Sequence, residues 1–201
     1  LTLPEGINAL SYRAVDNVGN IEALHSMTLK SDATPPSTEL TVSTPPANGF
    51  IPGGTRFSLS GLDPARNRVA SGVALTRYQI NGGAFISTPT SFILSGPDGR
   101  YVISYQSVDS IGHAEALRST IVVLDQTAPG TALLVNGIAV AGGSVVLTST
   151  DSVGLAAFDD LSGARAFYTL DGGPESLFGS TFSLRVGIHS LGLRSVDLVG
   201  N

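Results

Sequence analysis

Three segments of the chain carry one pattern, and that pattern limits what the chain can fold into. Asp16, Asp109 and Asp197 each follow a Val, each have a Gly ten residues before them, and each have a Gly three residues after them. The first two copies run in register without a gap: residues 6–38 and 99–131 share 14 identities in 33 positions. The third copy, residues 187–201, matches the first at 9 of 15 positions. The offsets are 93 and 88 residues, so one unit is used repeatedly along the chain.

The residues ahead of each Asp alternate. Leu10, Tyr12 and Ala14 interleave with Ser11 and Arg13. Ile103, Tyr105 and Ser107 interleave with Ser104 and Gln106, and Leu191, Leu193 and Ser195 with Gly192 and Arg194. A period of two with one apolar face predicts a half-buried strand, with Arg13 and Gln106 facing out. At the end of that strand, the Asp side chain can accept a hydrogen bond from the backbone two residues on. The Gly one residue further supplies the left-handed conformation that closes a turn. The motif therefore predicts a hairpin, whose second strand spans residues 21–29 in the first copy and 114–124 in the second.

Each hairpin ends in Asp-x-Thr-x-Pro, at Asp32 and again at Asp125. Pro36 and Pro129 lack a backbone donor and stop the ladder. These points set three expected segments. Residues 1–34 are the last two strands of one module, 35–127 a complete module, and 128–201 a module lacking its last strand. The short linkers predict semi-rigid coupling of neighbouring modules. The unpaired hairpin and the open edge predict self-association by strand pairing, with Ile7, Leu10, Tyr12, Val15, Ile21, Leu24 and Met27 forming an exposed apolar face.

Other features also recur. Gly53-Gly54 leads into an expected strand at 55–62, and Gly142-Gly143 into one at 144–150. Ser71-Gly72 matches Ser162-Gly163, and Tyr78 with Asn81-Gly82 matches Tyr168 with Asp171-Gly172. Asx-Gly pairs between apolar runs are tight-turn signals. The complete module then has about seven strands, near 38–43, 55–62, 73–80, 84–87, 91–95, 100–108 and 114–124. This spacing predicts an all-β, immunoglobulin-like (fibronectin III-like) antiparallel sandwich. Gly at 24 of 201 residues agrees with a turn-rich chain.

The stretch Tyr12 to Asn20, the Asp-x-Thr-x-Pro boundary, the Ser-Gly pairs and the Tyr-x-x-Asp-Gly turn resemble bacterial immunoglobulin-like repeats. Those occur in tandem in large exported and surface proteins, adhesins and secreted hydrolases. The resemblance implies an extracellular or cell-surface setting and a structural, non-catalytic spacer role, including in filament-forming proteins. The alternative it implies is an adhesive or carbohydrate-binding accessory module with a surface glycan or protein as partner.

Several chemistries have no support in the residues. The chain has no Cys, which removes thiolate metal sites and disulfides, and a single lysine, Lys30. With a net charge of −5 and no basic stripe, nucleic acid is not an expected partner. No apolar run is long enough for a membrane-inserting helix, and no signal peptide is evident. His25 and His189 are expected in strands and His113 in a turn, with no metal-ligand spacing and no catalytic set. Tyr12, Tyr78, Tyr105 and Tyr168 recur at equivalent positions and are expected in the core, and Phe50 in an exposed loop.

Calcium is the cofactor that the sequence could accommodate. The loops expected at one end of the last module carry Asp151, Asp159, Asp160 and Asp197, with Asn201 beside them, and carboxylate oxygens suit a hard cation. The competing reading, which the sequence favours, makes Asp197 a turn residue and leaves the others solvated, with no cofactor. In the middle module Asp63 and Asp109 face Arg66 and Arg68, which points to ion pairing there rather than to a metal.

Overall fold

The computed structural model describes residues 1–87 and 91–201. Among the described residues all regular structure is β, in five sheets and 16 strands. The chain divides into two compact units. One comprises Leu1–Val42, Arg56–Phe92 and Val102–Thr120, and the other comprises Ser43–Thr55, Ile93–Tyr101 and Ile121–Asn201.

The chain opens with β1 (Gly6–Tyr12) and β2 (His25–Ser31), an antiparallel hairpin in unbroken register from Gly6↔Ser31 to Tyr12↔His25. Of the apolar side chains expected to be exposed, Ile7, Tyr12, Val15, Ile21, Leu24 and Met27 lie open, and Leu10 is half-buried. Tyr12 stacks on His25 at 5.2 Å rather than in a core.

The middle of the chain holds two sheets. The strands are β3 (Ser37–Val42), β4 (Phe50–Pro52), β5 (Arg56–Leu62), β6 (Val73–Ile80), β7 (Ile86–Ser87), β8 (Ser91–Ile93), β9 (Gly99–Asp109) and β10 (Arg118–Asp125). They are ordered β3-β5-β8 in one sheet and β4-β10-β9-β6-β7 in the other. This is the immunoglobulin-like sandwich, two sheets with the neighbours β6–β7 and β9–β10 side by side in one of them. Three rings span the gap. Phe92 on β8 lies between Phe57 on β5, at 5.2 Å, and Tyr78 on β6, at 3.8 Å. All three are buried, because alternation on each strand turns them to the inner face.

Two details here depart from the sequence expectation. Phe50 is in β4, half-buried and paired parallel to Val123, not in an exposed loop. The reciprocal Ala47–Phe50 backbone bonds, with Asn48 and Gly49 at positive φ, make a tight turn that feeds the chain into this short strand. Gln106 is buried at 8% exposure, not outward-facing, because β9 is a central strand covered on both faces. Ser104 on the same side hydrogen-bonds to Ser119 at 2.9 Å.

The last stretch holds β11 (Gly130–Val135), β12 (Ile138–Val140), β13 (Val153–Phe158), β14 (Ala164–Leu170), β15 (Ser176–Leu177) and β16 (Leu191–Asp197), in sheets ordered β12-β11-β13 and β15-β14-β16. The strand expected at 144–150 is not there. Thr148 and Asp151 close a local turn, with the Thr148 amide on Asp151 Oδ2 at 2.7 Å, and the strand forms afterwards as β13. The turns at Asn81-Gly82 and Asp171-Gly172 form as expected, with positive φ at both residues of each pair.

The ring stack sets a quantitative expectation. Phe92→Ala removes its middle member and should cost about 3–5 kcal/mol in chemical denaturation. Ile121→Ala, at a half-exposed site, should cost less than about 1 kcal/mol. Equal losses would show that the stack does not carry the core.

Candidate metal centre

The three motif aspartates do the same local work. Asp16 Oδ1 accepts the amides of Val18 at 3.0 Å and Asn20 at 2.8 Å. Asp109 Oδ1 accepts those of Ile111 at 3.0 Å and His113 at 2.7 Å. Asp197 Oδ1 accepts those of Val199 at 2.9 Å, Gly200 at 2.7 Å and Asn201 at 2.9 Å. The glycine three residues on has φ near +95° in each case (94°, 97° and 94° at Gly19, Gly112 and Gly200). An L side chain there is strained, which is why the turn uses Gly.

The turn takes one oxygen; the other accepts Asn20 Nδ2 at Asp16 and Asn201 Nδ2 at Asp197, and has no hydrogen-bond partner at Asp109. Asp125, Asp159 and Asp197 bring carboxylate oxygens within 4.8 Å of one another. Asp125 ends β10, Asp159 follows β13 and Asp197 ends β16. Asp125 Oδ1 accepts the Thr127 amide at 3.3 Å, and Asp159 Oδ1 accepts the amides of Leu161 and Ser162, both at 2.8 Å. Asp125 is 1% exposed, and its Oδ2 has no hydrogen-bond partner. Ser162 is 5% exposed, and its Oγ also lacks one. Asn201 Nδ2 donates to Asp197 Oδ2 at 2.9 Å and to the Asp125 carbonyl at 3.1 Å, tying the strand ends together.

A carboxylate oxygen buried without a donor is costly. Three carboxylates gathered at one point repel each other besides. A divalent cation removes both penalties, and the donor set is all oxygen, which suits calcium. The residues present fit the ion.

Of the residues expected from the sequence, Asp159 and Asp197 lie in this cluster. Asp160 lines the same cavity, together with Asp98, Asp125 and Thr127. Asp151 stands apart. It precedes β13 while Asp159 follows it, and eight residues at about 3.3 Å each separate the two by more than roughly 20 Å. Asp151 holds Asn136 and Thr148 instead, and those hydrogen bonds depress its pKa. Sequence reading missed Asp125, whose Asp-x-Thr-x-Pro context was taken as boundary punctuation. Its identity with Asp32 in the gapless repeat was the available signal.

No protein-family model and no curated protein matches the sequence. Among solved structures, the chain is similar to the fibronectin(III)-like modules of CbhA from Clostridium thermocellum. The identity is 17% and the TM-score 0.40, over 81% of this chain and 87% of that chain.

The motif also builds a related cluster. Asp32, Asp63 and Asp109 bring their oxygens within 4.8 Å. Asp32 accepts the amides of Thr34 at 3.2 Å and Ser71 at 2.6 Å, and Asp63 accepts the Gly72 amide at 2.6 Å. Among the described residues no ion pair joins Asp63 or Asp109 to Arg66 or Arg68, contrary to the expectation from sequence. Arg66 and Val69 instead exchange backbone hydrogen bonds across a turn. The Ser71 hydroxyl, foremost, holds the Asp32 carboxyl below its ordinary pKa, with the Ser71 and Thr34 amides and the charge of His113 adding to it against burial. At Asp109 burial is the largest influence and pushes upward, but the amides of His113 and Ile111, Ser71 and the His113 charge together bring it below the ordinary value.

Groups depressed in this way stabilise the fold fully above about pH 4, and that contribution is lost as pH falls through the depressed value. Melting temperature should therefore drop steeply below about pH 4, and Asp109→Asn should make that drop shallower. An identical acid slope in the variant would show that this carboxylate is not held in its ionised form by the fold.

Proposed function

We propose that this chain is a stretch of tandem immunoglobulin-like modules, divided at 1–34, 35–127 and 128–201. Its role is structural and non-catalytic, as a spacer in a large bacterial cell-surface or extracellular protein. Calcium at Asp125, Asp159 and Asp197 stiffens the junction between successive modules. The observation that carries the reading is Asp125. It belongs to the strand that closes one module and is buried with an unpaired Oδ2, yet it brings a carboxylate oxygen within 4.8 Å of two carboxylates from the next. A cation held there ties two modules together by ligands from both.

The linker supports the same role. Asp98 accepts the Thr127 hydroxyl at 2.5 Å and the Gln126 amide at 3.0 Å. Glu5 does the same for Thr34 at 2.6 Å, at the equivalent place in the first copy. Both linkers are thus fastened to the strand start of the preceding copy rather than left to swing. A module that transmits position along an array needs that stiffness more than it needs a cleft. An adhesive or glycan-stacking role has less to draw on. Tyr78, Tyr101 and Tyr105 are buried in the core.

Thermal melting with calcium tests this. Ligand that binds only the folded state raises stability by about 2.7 kcal/mol at a hundredfold excess over its dissociation constant. Millimolar calcium should raise the melting temperature by several degrees, chelator should reverse it, and Asp125→Asn should abolish the response. A melting curve indifferent to calcium would rule out the stiffening ion.

A further inference from the structure

In each copy the residue two places after the motif Gly reaches back to the backbone carbonyl four residues before it. Asn8 Nδ2 donates to the Pro4 carbonyl at 2.9 Å, and the Tyr101 hydroxyl donates to the Pro97 carbonyl at 2.8 Å. A tyrosine bonded in this way pins the corner of a sandwich. The last copy has His189 in this place, with Nε2 at 3.0 Å from the Arg185 carbonyl. The partner across the corner changes too. In the middle copy Asn81 Oδ1 accepts the Val102 amide, and the Asn81 amide donates to the Val102 carbonyl, both at 2.8 Å. In the last copy Asp171 makes the same two bonds with Ser190, again at 2.8 Å. Its second oxygen, Oδ2, lies 2.8 Å from His189 Nδ1. The neutral pair Asn81 and Tyr101 has thus become the ionisable pair Asp171 and His189.

Both neighbours of the imidazole, a carbonyl and a carboxylate, are acceptors. Only the imidazolium carries an N–H on each ring nitrogen. A neutral ring has one, and turns a lone pair toward either Asp171 or the Arg185 carbonyl. We propose that His189 is a pH-dependent latch: as imidazolium it fastens residues 183–190 to the Asp171–Gly172 turn, and on deprotonation it gives up one of its two bonds and loosens that segment. Residues 183–190 lie outside the strands, and Val186 and Ile188 are fully exposed, so little else holds the tip of the segment. His189 also lines an apolar cavity of about 410 Å³, with Leu133, Val140, Leu147 and Leu191 among its walls. Loosening the segment opens that cavity to water.

The charges around the ring are few. Among the residues lining the two cavities that His189 borders, Arg185 is the one further ionisable side chain. On β16, Arg194 is engaged by Glu175 at 2.6 Å. The hydrogen bond to Asp171, foremost, and that to the Arg185 carbonyl hold the imidazole pKa above its ordinary value, against burial. A group raised in this way stabilises the fold fully below about pH 6.5, and the contribution is lost as pH rises through the raised value.

The inference uses none of the proposed calcium ligands, and its test is run on the full chain in chelator, so the two readings fail separately. NMR of the imidazole protons follows the three histidines from about pH 5.5 to about 8.5, with His25→Gln and His113→Asn to assign them. Amide exchange at Ser190 and Asp171 is followed over the same range, each rate divided by its intrinsic value at that pH. His189 should stay cationic to a higher pH than an ordinary imidazole. Protection of both amides should fall at least ~threefold as it deprotonates. The Val102 and Asn81 amides, held in the middle copy by neutral groups, should show no such step. His189→Tyr with Asp171→Asn restores the neutral pair and should abolish the step while the amides stay protected. Asp171→Asn alone should bring the His189 midpoint down toward its ordinary value, and it decides the matter where the double variant does not fold. Protection that stays constant across the His189 midpoint would overturn the proposal. So would a step that survives the double substitution, or a midpoint that Asp171→Asn leaves in place.

Discussion

The hydrogen bonds from a loop's own amides to one oxygen of an aspartate underlie most of what this chain does. A hairpin loop leaves several backbone N–H groups pointing inward with no strand partner. Asp16, Asp109 and Asp197 each collect two or three of them on Oδ1. That fixes the loop, sets the register of the strands on either side, and orients the carboxylate. Asp109 and Asp197 each also bring a carboxylate oxygen within 4.8 Å of those of two further aspartates. Hairpin geometry and the charge cluster are thus two results of one side chain.

The identity of the other aspartates follows from where the strands end. Asp125 and Asp32 close the last strand of one copy, and Asp159 and Asp63 follow β13 and β5, the third strand of the next. Each satisfies local amides with part of its carboxylate before meeting the others. A cluster assembled in this way needs no dedicated ligand loop. It explains why no contiguous metal motif is visible in the sequence, and why the site recurs with the repeat. The exchange of Asn201 for His113 leaves the turn intact, because both use their backbone amide in the same bond.

Much of the fold was legible because it rests on local chemistry. Alternation identified β1, β9 and β16, and the Asn81-Gly82 and Asp171-Gly172 pairs located tight turns that form as expected. Two equivalent signals, Asn48-Gly49 and Asn136-Gly137, were present and have the same positive φ values, yet were not read as turns. They account for β4 and β12, which the strand count left out. The register of the last segment was misjudged for a physical reason. The Gly142-Gly143 pair suggested a strand directly after it, but the Thr148–Asp151 turn delays the strand to β13. That shift moved Asp151 to the wrong end of the strand in the sequence reading. Asp125 was missed because it sits across a boundary, where a ligand contributed to the following segment cannot be seen from either segment alone.

A crystal structure grown with calcium, with anomalous data collected where calcium scatters, tests the central claim most directly. The account predicts a cation among Asp125, Asp159 and Asp197. Water alone there, hydrogen-bonded to the unpaired Asp125 Oδ2, would contradict the account.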